Sequence, residues 1–257
     1  MPTNSFSDDF SGKTALVIGA TSGIGRAAAL AFAKAGANVV LSGLGEEQGR
    51  AAETEIRDLG GQALFVEADV LNEADIRNVV TKAVDRFGRL HMAANNAGTE
   101  GSFGPVQDAT SEDFDRIIGI NLKGIFLGMK YQIPHMLEHG GGAIVNTASS
   151  AGVTGIANVA IYTASKHGVV GLTKATALEL ARSNIRVNAV APGPVDTGLL
   201  ARMIEGKMDS SVIAESVPMG RISDAGEIAG AILWLCSDAA SFVTGHTLVA
   251  DGGLTVG

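Results

Sequence analysis

The sequence predicts an α/β fold in which about seven parallel strands form a doubly wound sheet with helices on both faces. Short apolar runs alternate along the chain with longer segments of helical periodicity, which is typical of consecutive β-α-β units. The composition is 46% hydrophobic and 18% charged, as suits a sheet that is buried on both faces. No proline- or serine-rich linker divides the 257 residues, so we expect a single domain over residues 1–257.

The predicted strands are short apolar runs, most of which are followed by small or polar residues. They lie at residues 14–18, 38–42, 63–66, 90–94, 143–146, 185–190 and 247–250. Helical periodicity fills the gaps between them. In residues 73–87 the apolar positions recur at the spacing of one helix face, and Asn72 is placed to cap the start. Asp224 and Glu227 predict the start of another helix, which runs to Cys236.

Charge and apolar patterning exclude several classes of function. The net charge is −8 and no run of Lys or Arg occurs, so we expect no nucleic-acid partner. Residues 1–11 are polar and lack the apolar centre of a secretory signal. No apolar stretch is long enough to span a bilayer, and the single cysteine, Cys236, is expected to pack in the core. We expect a cytoplasmic protein with no membrane partner and no metal site.

A glycine-rich turn follows the first predicted strand and precedes an alanine-rich helix. Glycines let a pyrophosphate approach the backbone, and the helix N-terminus offers unpaired N–H groups. The spacing is G-x-x-x-G-x-G, and the alternative interpretation is a tight turn that only packs the helix on the sheet. Its position between strand and helix favours nucleotide binding. The predicted contacts are Gly19, Thr21, Ser22, Gly23, Ile24 and Gly25.

Two further segments follow predicted strands, at the edge where open α/β sheets bind their ligands. One follows the third strand and the other the fourth. An acidic side chain and small residues at these places are suited to line an adenine and a ribose. The predicted contacts are Asp69, Val70, Asn96, Ala97 and Gly98.

Tyr162 and Lys166 are four residues apart, and Ser149 lies thirteen residues before the tyrosine. Four residues is about one helical turn, so the phenol and the ammonium are expected on one helix face. A tyrosine has an ordinary pKa of about 10, and a nearby lysine cation favours the phenolate and lowers that pKa. With the Ser149 hydroxyl to hold a substrate oxygen, the three residues predict an acid/base site for a carbonyl or an alcohol.

Together these motifs resemble the short-chain dehydrogenase/reductase family in its single-domain form. The resemblance runs from about residue 10 to residue 253 and also includes Asn121-Leu122-Lys123-Gly124, Pro192-Gly193 and Asp251-Gly252-Gly253. It implies a Rossmann-like fold, a homotetramer and an NAD(P)-dependent oxidoreductase acting on an alcohol or a ketone. Further cofactor contacts are expected at Gly43, Pro192, Gly193, Val195 and Thr197, and at Tyr162 and Lys166 themselves.

The resemblance also implies a role for each catalytic residue. Tyr162 is the general acid/base, and Ser149 positions the substrate oxygen. Lys166 lowers the pKa of Tyr162 and holds the nicotinamide ribose, while Asn121 supports a water-linked proton relay.

The end of the second strand distinguishes NAD from NADP. Position 43 is glycine and position 44 is leucine, so both the acidic residue that binds the ribose of NAD and the cation that binds the 2′-phosphate of NADP are missing. Glu46 and Glu47 follow closely. We expect NAD, with NADP left open.

The segment 192–221 interrupts the strand–helix alternation and is expected to form a lid over the substrate. Residues 99–103, 151–156 and 193–213 are expected to line the pocket with mostly apolar side chains, including Phe103, Val153 and Ile156. They predict a small, uncharged secondary alcohol or ketone, cyclic compounds included. The alternatives are an NADPH-dependent 3-oxoacyl reductase and, from another class, a non-enzymatic dinucleotide sensor.

Overall fold

The computed structural model describes residues 9–205 and 209–256. These residues form one sheet of seven strands in the order β3-β2-β1-β4-β5-β6-β7, and every pairing is parallel. The predicted doubly wound α/β fold is therefore confirmed. The strands are β1 (Thr14–Ile18), β2 (Asn38–Gly43), β3 (Ala63–Glu67), β4 (Met92–Asn95), β5 (Gly142–Thr147), β6 (Ile185–Pro192) and β7 (Thr247–Ala250).

Helices cover both faces of the sheet. They are α1 (Gly23–Lys34), α2 (Glu46–Asp58), α3 (Glu73–Phe87), α4 (Ser111–Ile118), α5 (Gly124–Glu138), α6 (Ala160–Leu180), α7 (Gly198–Ile204), α8 (Ser210–Ser216) and α9 (Ala225–Cys236). Alternate strand residues point to opposite faces, so Val17 joins a core with α1, α2 and α9, and Leu16 joins a core with α3, α5 and α6.

The predicted helix starts are present. The side chain of Asn72 accepts the N–H of Ala74 at the start of α3. Asp224 and Glu227 form a reciprocal capping box at the start of α9. Cys236 ends that helix in the core, and burial raises the pKa of its thiol to about 12.

The fourth strand begins later than the sequence predicts. Residues 90 and 91 precede β4, which pairs with β1 only from Met92 opposite Ala15. The backbone N–H of His91 still donates to the Thr14 carbonyl at 3.1 Å, but the N–H of Thr14 is accepted at 2.9 Å by the ring Nδ1 of His91 and not by a backbone carbonyl. Thr14 is therefore held by one backbone and one ring atom of His91, and regular backbone pairing begins at Met92.

Parts of two expectations lie outside the described residues. The segment expected to be a lid contains α7 and α8, but it leaves the sheet at residue 193, because β6 continues through Pro192. Residues 206–208 of that segment are not described, nor are residues 1–8 of the N-terminal stretch. Where helices are described, each is too short or too polar to cross a membrane.

His91 predicts how stability depends on pH. Burial of the imidazole, followed by the charges of Arg89 and Lys13, lowers the pKa of His91 from 6.5 to about 4. The unfolded chain keeps the ordinary pKa of about 6.5 and binds more protons between these values. This stabilisation is full above pH 6.5 and is lost as the pH falls towards 4.

We expect His91→Asn to reduce this acid sensitivity, because Asn Oδ1 can accept the Thr14 N–H without titrating. Urea unfolding at about pH 7 and about pH 4.5 should show the variant losing less stability, by about 1–2 kcal/mol after allowance for partial exposure of the ring. The exposed His167→Asn is the control. Equal acid sensitivity in all three proteins would contradict the assignment.

Candidate active site

A cavity of about 670 Å³ lies at the carboxyl ends of the strands, between the Gly19 turn and Tyr162. Nearly all of the expected cofactor contacts line it. They are Gly19, Thr21, Ser22, Gly23, Ile24, Gly43, Asp69, Val70, Asn96, Ala97, Gly98, Tyr162, Lys166, Pro192, Gly193, Val195 and Thr197. The exception is Gly25, which lies behind the wall, against the turn.

The glycine turn is closely packed on the end of β4. Gly19 has a φ of +85°, and a Cβ built there would lie 2.5 Å from the backbone nitrogen of Ala97. The side chain of Asn96 donates to the Gly19 carbonyl at 3.1 Å. A Cβ at Gly25 would overlap the same carbonyl. Glycine is therefore required at both positions by the approach of neighbouring backbone.

The N-terminus of α1 is open towards the cavity. Ser22 is the N-cap residue, but its side chain makes no capping hydrogen bond. The first-turn N–H groups are thus left for another acceptor. A helix start of this kind, bordered by residues with little or no side chain, fits the diphosphate of a dinucleotide.

Tyr162 and Lys166 lie on one face of α6 and are both buried. The lysine Nζ is 5.7 Å from the centre of the tyrosine ring and donates to the Thr147 carbonyl at 2.9 Å. Burial lowers the pKa of Lys166 from 10.5 to about 8. The predicted same-face placement is present.

The pKa of Tyr162 differs from the sequence-based expectation. Burial of the phenol raises it, a hydrogen bond with Ser149 lowers it, and the negative charge of Glu100 raises it further. The expected lowering by Lys166 is not present. The reason is that burial lowers the pKa of Lys166 to about 8, so the lysine is already neutral at the higher pH at which the buried Tyr162 loses its proton.

Ser149 lies in the cavity wall beside Tyr162. It precedes a short 3-10 turn, Ser150–Gly152, and its hydroxyl accepts the N–H of Ala151 at 3.2 Å. Ala151 in turn packs against the tyrosine in a small buried cluster. The turn therefore fixes the serine and the tyrosine relative to each other.

Asn121 is fully buried behind the cavity, in a π-helical turn, Gly119–Lys123, between α4 and α5. Its Oδ1 accepts the N–H of Thr99 at 2.7 Å, and its Nδ2 donates to the Thr99 carbonyl at 2.9 Å and to Ser165 Oγ at 3.1 Å. The side chain thus fastens the loop after β4 to α6. Ser149, Tyr162 and Lys166 meet at the cavity, while Asn121 does not line it.

Apolar side chains from three segments line the other end of the cavity. They are Phe103, Ile156, Val195, Leu199, Leu200, Met203, Ile204 and Ile213. Val153 was expected here but does not line the cavity; it ends the 3-10 turn and is 40% exposed. Arg202 also lines this end and is paired with Glu100.

Sequence reasoning missed several lining residues, among them Ala68, Thr147, Ala148 and Leu254. The first three lie at the carboxyl ends of β3 and β5. Ligands of open α/β sheets bind at these ends, so the position of these residues was a usable signal. Leu254 comes from the last turn of the described chain and carries no such signal.

Comparison with known proteins finds a family model and relatives that match nearly the whole chain. The family model described as Enoyl-(Acyl carrier protein) reductase matches residues 19–255. Cyclohexanol dehydrogenase of Acinetobacter sp. (strain SE19) is 44% identical over 249 residues, which cover 97% of this chain and 97% of that protein.

Two solved structures are similar over most of their length. The crystal structure of levodione reductase has a TM-score of 0.93 at 37% identity, covering 96% of this chain and 99% of that one. The crystal structure of an actinorhodin polyketide ketoreductase variant with NADPH has a TM-score of 0.91 at 39% identity, covering 94% of this chain and 97% of that one.

Gly25→Ala tests the packing of the turn. The added methyl must displace the Gly19 carbonyl, so we expect a loss of about 1–3 kcal/mol in unfolding free energy. Calorimetric titration should show a loss of dinucleotide affinity of at least about tenfold, since the turn moves with it. The matched control is Gly230→Ala in α9, where the methyl meets open space; it should be neutral or stabilising. Equal effects of the two changes would contradict the close approach.

Proposed function

Because this chain belongs to the short-chain dehydrogenase/reductase family, we propose that it interconverts a secondary alcohol and a ketone with a nicotinamide dinucleotide as cofactor. One observation carries the proposal. The Ser149, Tyr162 and Lys166 side chains line the same cavity as the open N-terminus of α1. An acid/base group and a diphosphate site thus border one cavity, and apolar side chains line its other end.

The protein's own residues supply binding and proton transfer. When bound, the nicotinamide dinucleotide supplies or accepts the hydride. The Tyr162 hydroxyl gives its proton to the carbonyl oxygen during reduction and takes one from the alcohol during oxidation. Ser149, which is hydrogen-bonded to that phenol, positions the substrate oxygen. Lys166 would hold the cofactor ribose, and Asn121 keeps the loop after β4 against α6.

The preferred cofactor in this proposal is NAD. Gly43 and Leu44 line the cavity at the end of β2, where a 2′-phosphate of NADP needs a cation. Among the described lining residues, the cations are Lys166 and Arg202, which belong to the tyrosine and substrate end. A 2′-phosphate therefore has no side-chain charge from the described lining to meet it.

The substrate in this proposal is a small, uncharged alcohol or ketone held under a lid. The described parts of the lid segment, residues 193–205 and 209–221, carry α7 and α8 and line the cavity with apolar side chains such as Leu199, Met203 and Ile213. Such a wall favours an apolar body around the reacting carbon. A relative named for cyclohexanol is consistent with a cyclic substrate.

We further propose that this single-domain chain works as a cytoplasmic homotetramer. The family resemblance supports the assembly, and so does the exposure of large apolar side chains such as Trp234, Phe242 and Val249. Light scattering measures the oligomeric state directly.

Tyr162→Phe tests the reaction. The variant keeps the ring but has no proton to transfer, so we expect a loss of about 10²–10⁴-fold in kcat with unchanged NAD affinity. Rates are followed by cofactor absorbance with cyclohexanol and cyclohexanone. Tyr131→Phe, at the one other tyrosine, is the control, since its hydroxyl bonds Glu73 on the surface of α3.

Three outcomes would contradict the proposal. An unchanged rate in Tyr162→Phe would remove the assigned acid/base. Binding of NAD without turnover of any alcohol or ketone would favour a dinucleotide sensor. Activity confined to acyl-carrier thioesters with NADPH would favour a 3-oxoacyl reductase.

Leu44→Arg tests the cofactor preference. We expect the unchanged protein to have a higher kcat/KM with NAD than with NADP. The new guanidinium stands where the 2′-phosphate is expected, so kcat/KM with NADP relative to NAD should rise at least about tenfold. Leu59→Arg, an exposed leucine at the end of α2, is the control for added charge. A tenfold preference of the unchanged protein for NADP would overturn the assignment.

A further inference from the structure

An ion pair joins α7 to the loop that follows β4. The Glu100 carboxylate accepts from Arg202 Nε at 2.7 Å and from Nη2 at 3.1 Å, in a two-point arrangement across 102 residues of chain. The glutamate side chain is 16% exposed, whereas the arginine side chain is 58% exposed. Burial raises the pKa of Glu100, but the hydrogen bonds and charge of Arg202, with hydrogen bonds to the backbone and to Thr99, lower it more, so the carboxylate is charged near neutral pH.

Arg202 is the cation of the apolar end of the cavity. Among the described residues that line the cavity, the charged ones are Asp69, Lys166 and Arg202. Asp69 lies after β3 and accepts the N–H of Leu71, and Lys166 donates to Thr147. Arg202 instead lies on α7, which also contributes Leu199 and Met203 to the apolar end of the cavity.

Glu100 decides what that cation can bind. Its carboxylate already occupies the Nε and Nη2 edge of the guanidinium, which is one of the two edges that can hold a carboxylate by a two-point contact. A second carboxylate at this place would lose that contact and be repelled by the first. A neutral alcohol or ketone meets neither cost.

We propose that Glu100 is a specificity-determining residue that neutralises Arg202 and so makes the cavity select uncharged substrates over carboxylated ones. This inference rests on the proposed function, because it concerns the substrate of the same site. Glu100 acts through Arg202 and does not itself line the cavity.

Glu100→Gln tests the proposal with substrates that differ in one carboxylate, cyclohexanol and trans-4-hydroxycyclohexanecarboxylate. The amide keeps the shape of the side chain but releases the charge of Arg202. We expect kcat/KM for the carboxylated alcohol, relative to cyclohexanol, to rise at least about tenfold, mainly through KM. Adding Arg202→Gln to this variant should abolish the gain.

Asp113→Asn is the matched control. Asp113 forms an ion pair with Arg116 in the same region, and this change removes the same charge without touching Arg202. It should leave the substrate ratio unmoved. A purely structural role for Glu100 predicts that both substrates worsen together in Glu100→Gln, which would overturn the proposal, as would a gain that persists without Arg202.

A binding measurement separates this inference from the proposed function. Cyclohexanecarboxylate is titrated calorimetrically into the unchanged protein, Glu100→Gln and the double variant, and no turnover is needed. We expect binding to strengthen at least about tenfold only in Glu100→Gln. If neither alcohol is turned over, the proposed function fails, but this titration still tests the role of Glu100. Equal binding of cyclohexanecarboxylate by all three proteins would overturn that role.

Discussion

The parallel pairing of β1 with β4 is the constraint on which the candidate site depends. Ile18 lies opposite Asn95, so the turn after β1 and the loop after β4 leave the sheet side by side. The backbone of Gly19 then lies so close to Ala97 that no side chain fits. Gly98 lies next to Asn121 and Lys166. A Cβ built on Gly98 would be 3.4 Å from Asn121 Oδ1 and 3.5 Å from Lys166 Nζ. The helix start and the acid/base residues are thus joined through one strand end.

Buried amides hold the second half of the site in register. Asn95 donates to Asn146 at 2.9 Å and exchanges hydrogen bonds with Gln132 on α5, while Asn146 donates to Thr173 on α6. Polar groups in a core are costly when unpaired, so this network favours one placement of α5 and α6 on the sheet. That placement sets the position of Tyr162 at the other end of α6.

Burial favours the neutral form of both titrating groups of the site, Tyr162 and Lys166. It raises the pKa of the Tyr162 phenol and lowers that of the Lys166 ammonium, so both are moved towards their neutral forms. A charge near a buried group shifts the pKa of that group further. Glu100 already exerts such an effect on Tyr162, and its pairing with Arg202 limits the net charge of the apolar end.

The sequence by itself determined the alternation of strands and helices, the caps at Asn72 and Asp224, and the shared helix face of Tyr162 and Lys166. These are local properties, fixed by periodicity and by contacts within a turn or two of chain. The glycine turn and most of the cavity lining were also predictable from the sequence, because parallel strands end at the same edge of a sheet.

Only the tertiary structure decided which distant groups meet. His91 replaces a backbone acceptor for Thr14, the amide of Asn121 turns to Thr99, and Glu100 pairs with Arg202. The direction of the Tyr162 pKa also depends on its burial. The physical reason is that pairing and desolvation depend on distances across the fold, which strand order and helix packing set and which no local pattern of residues encodes.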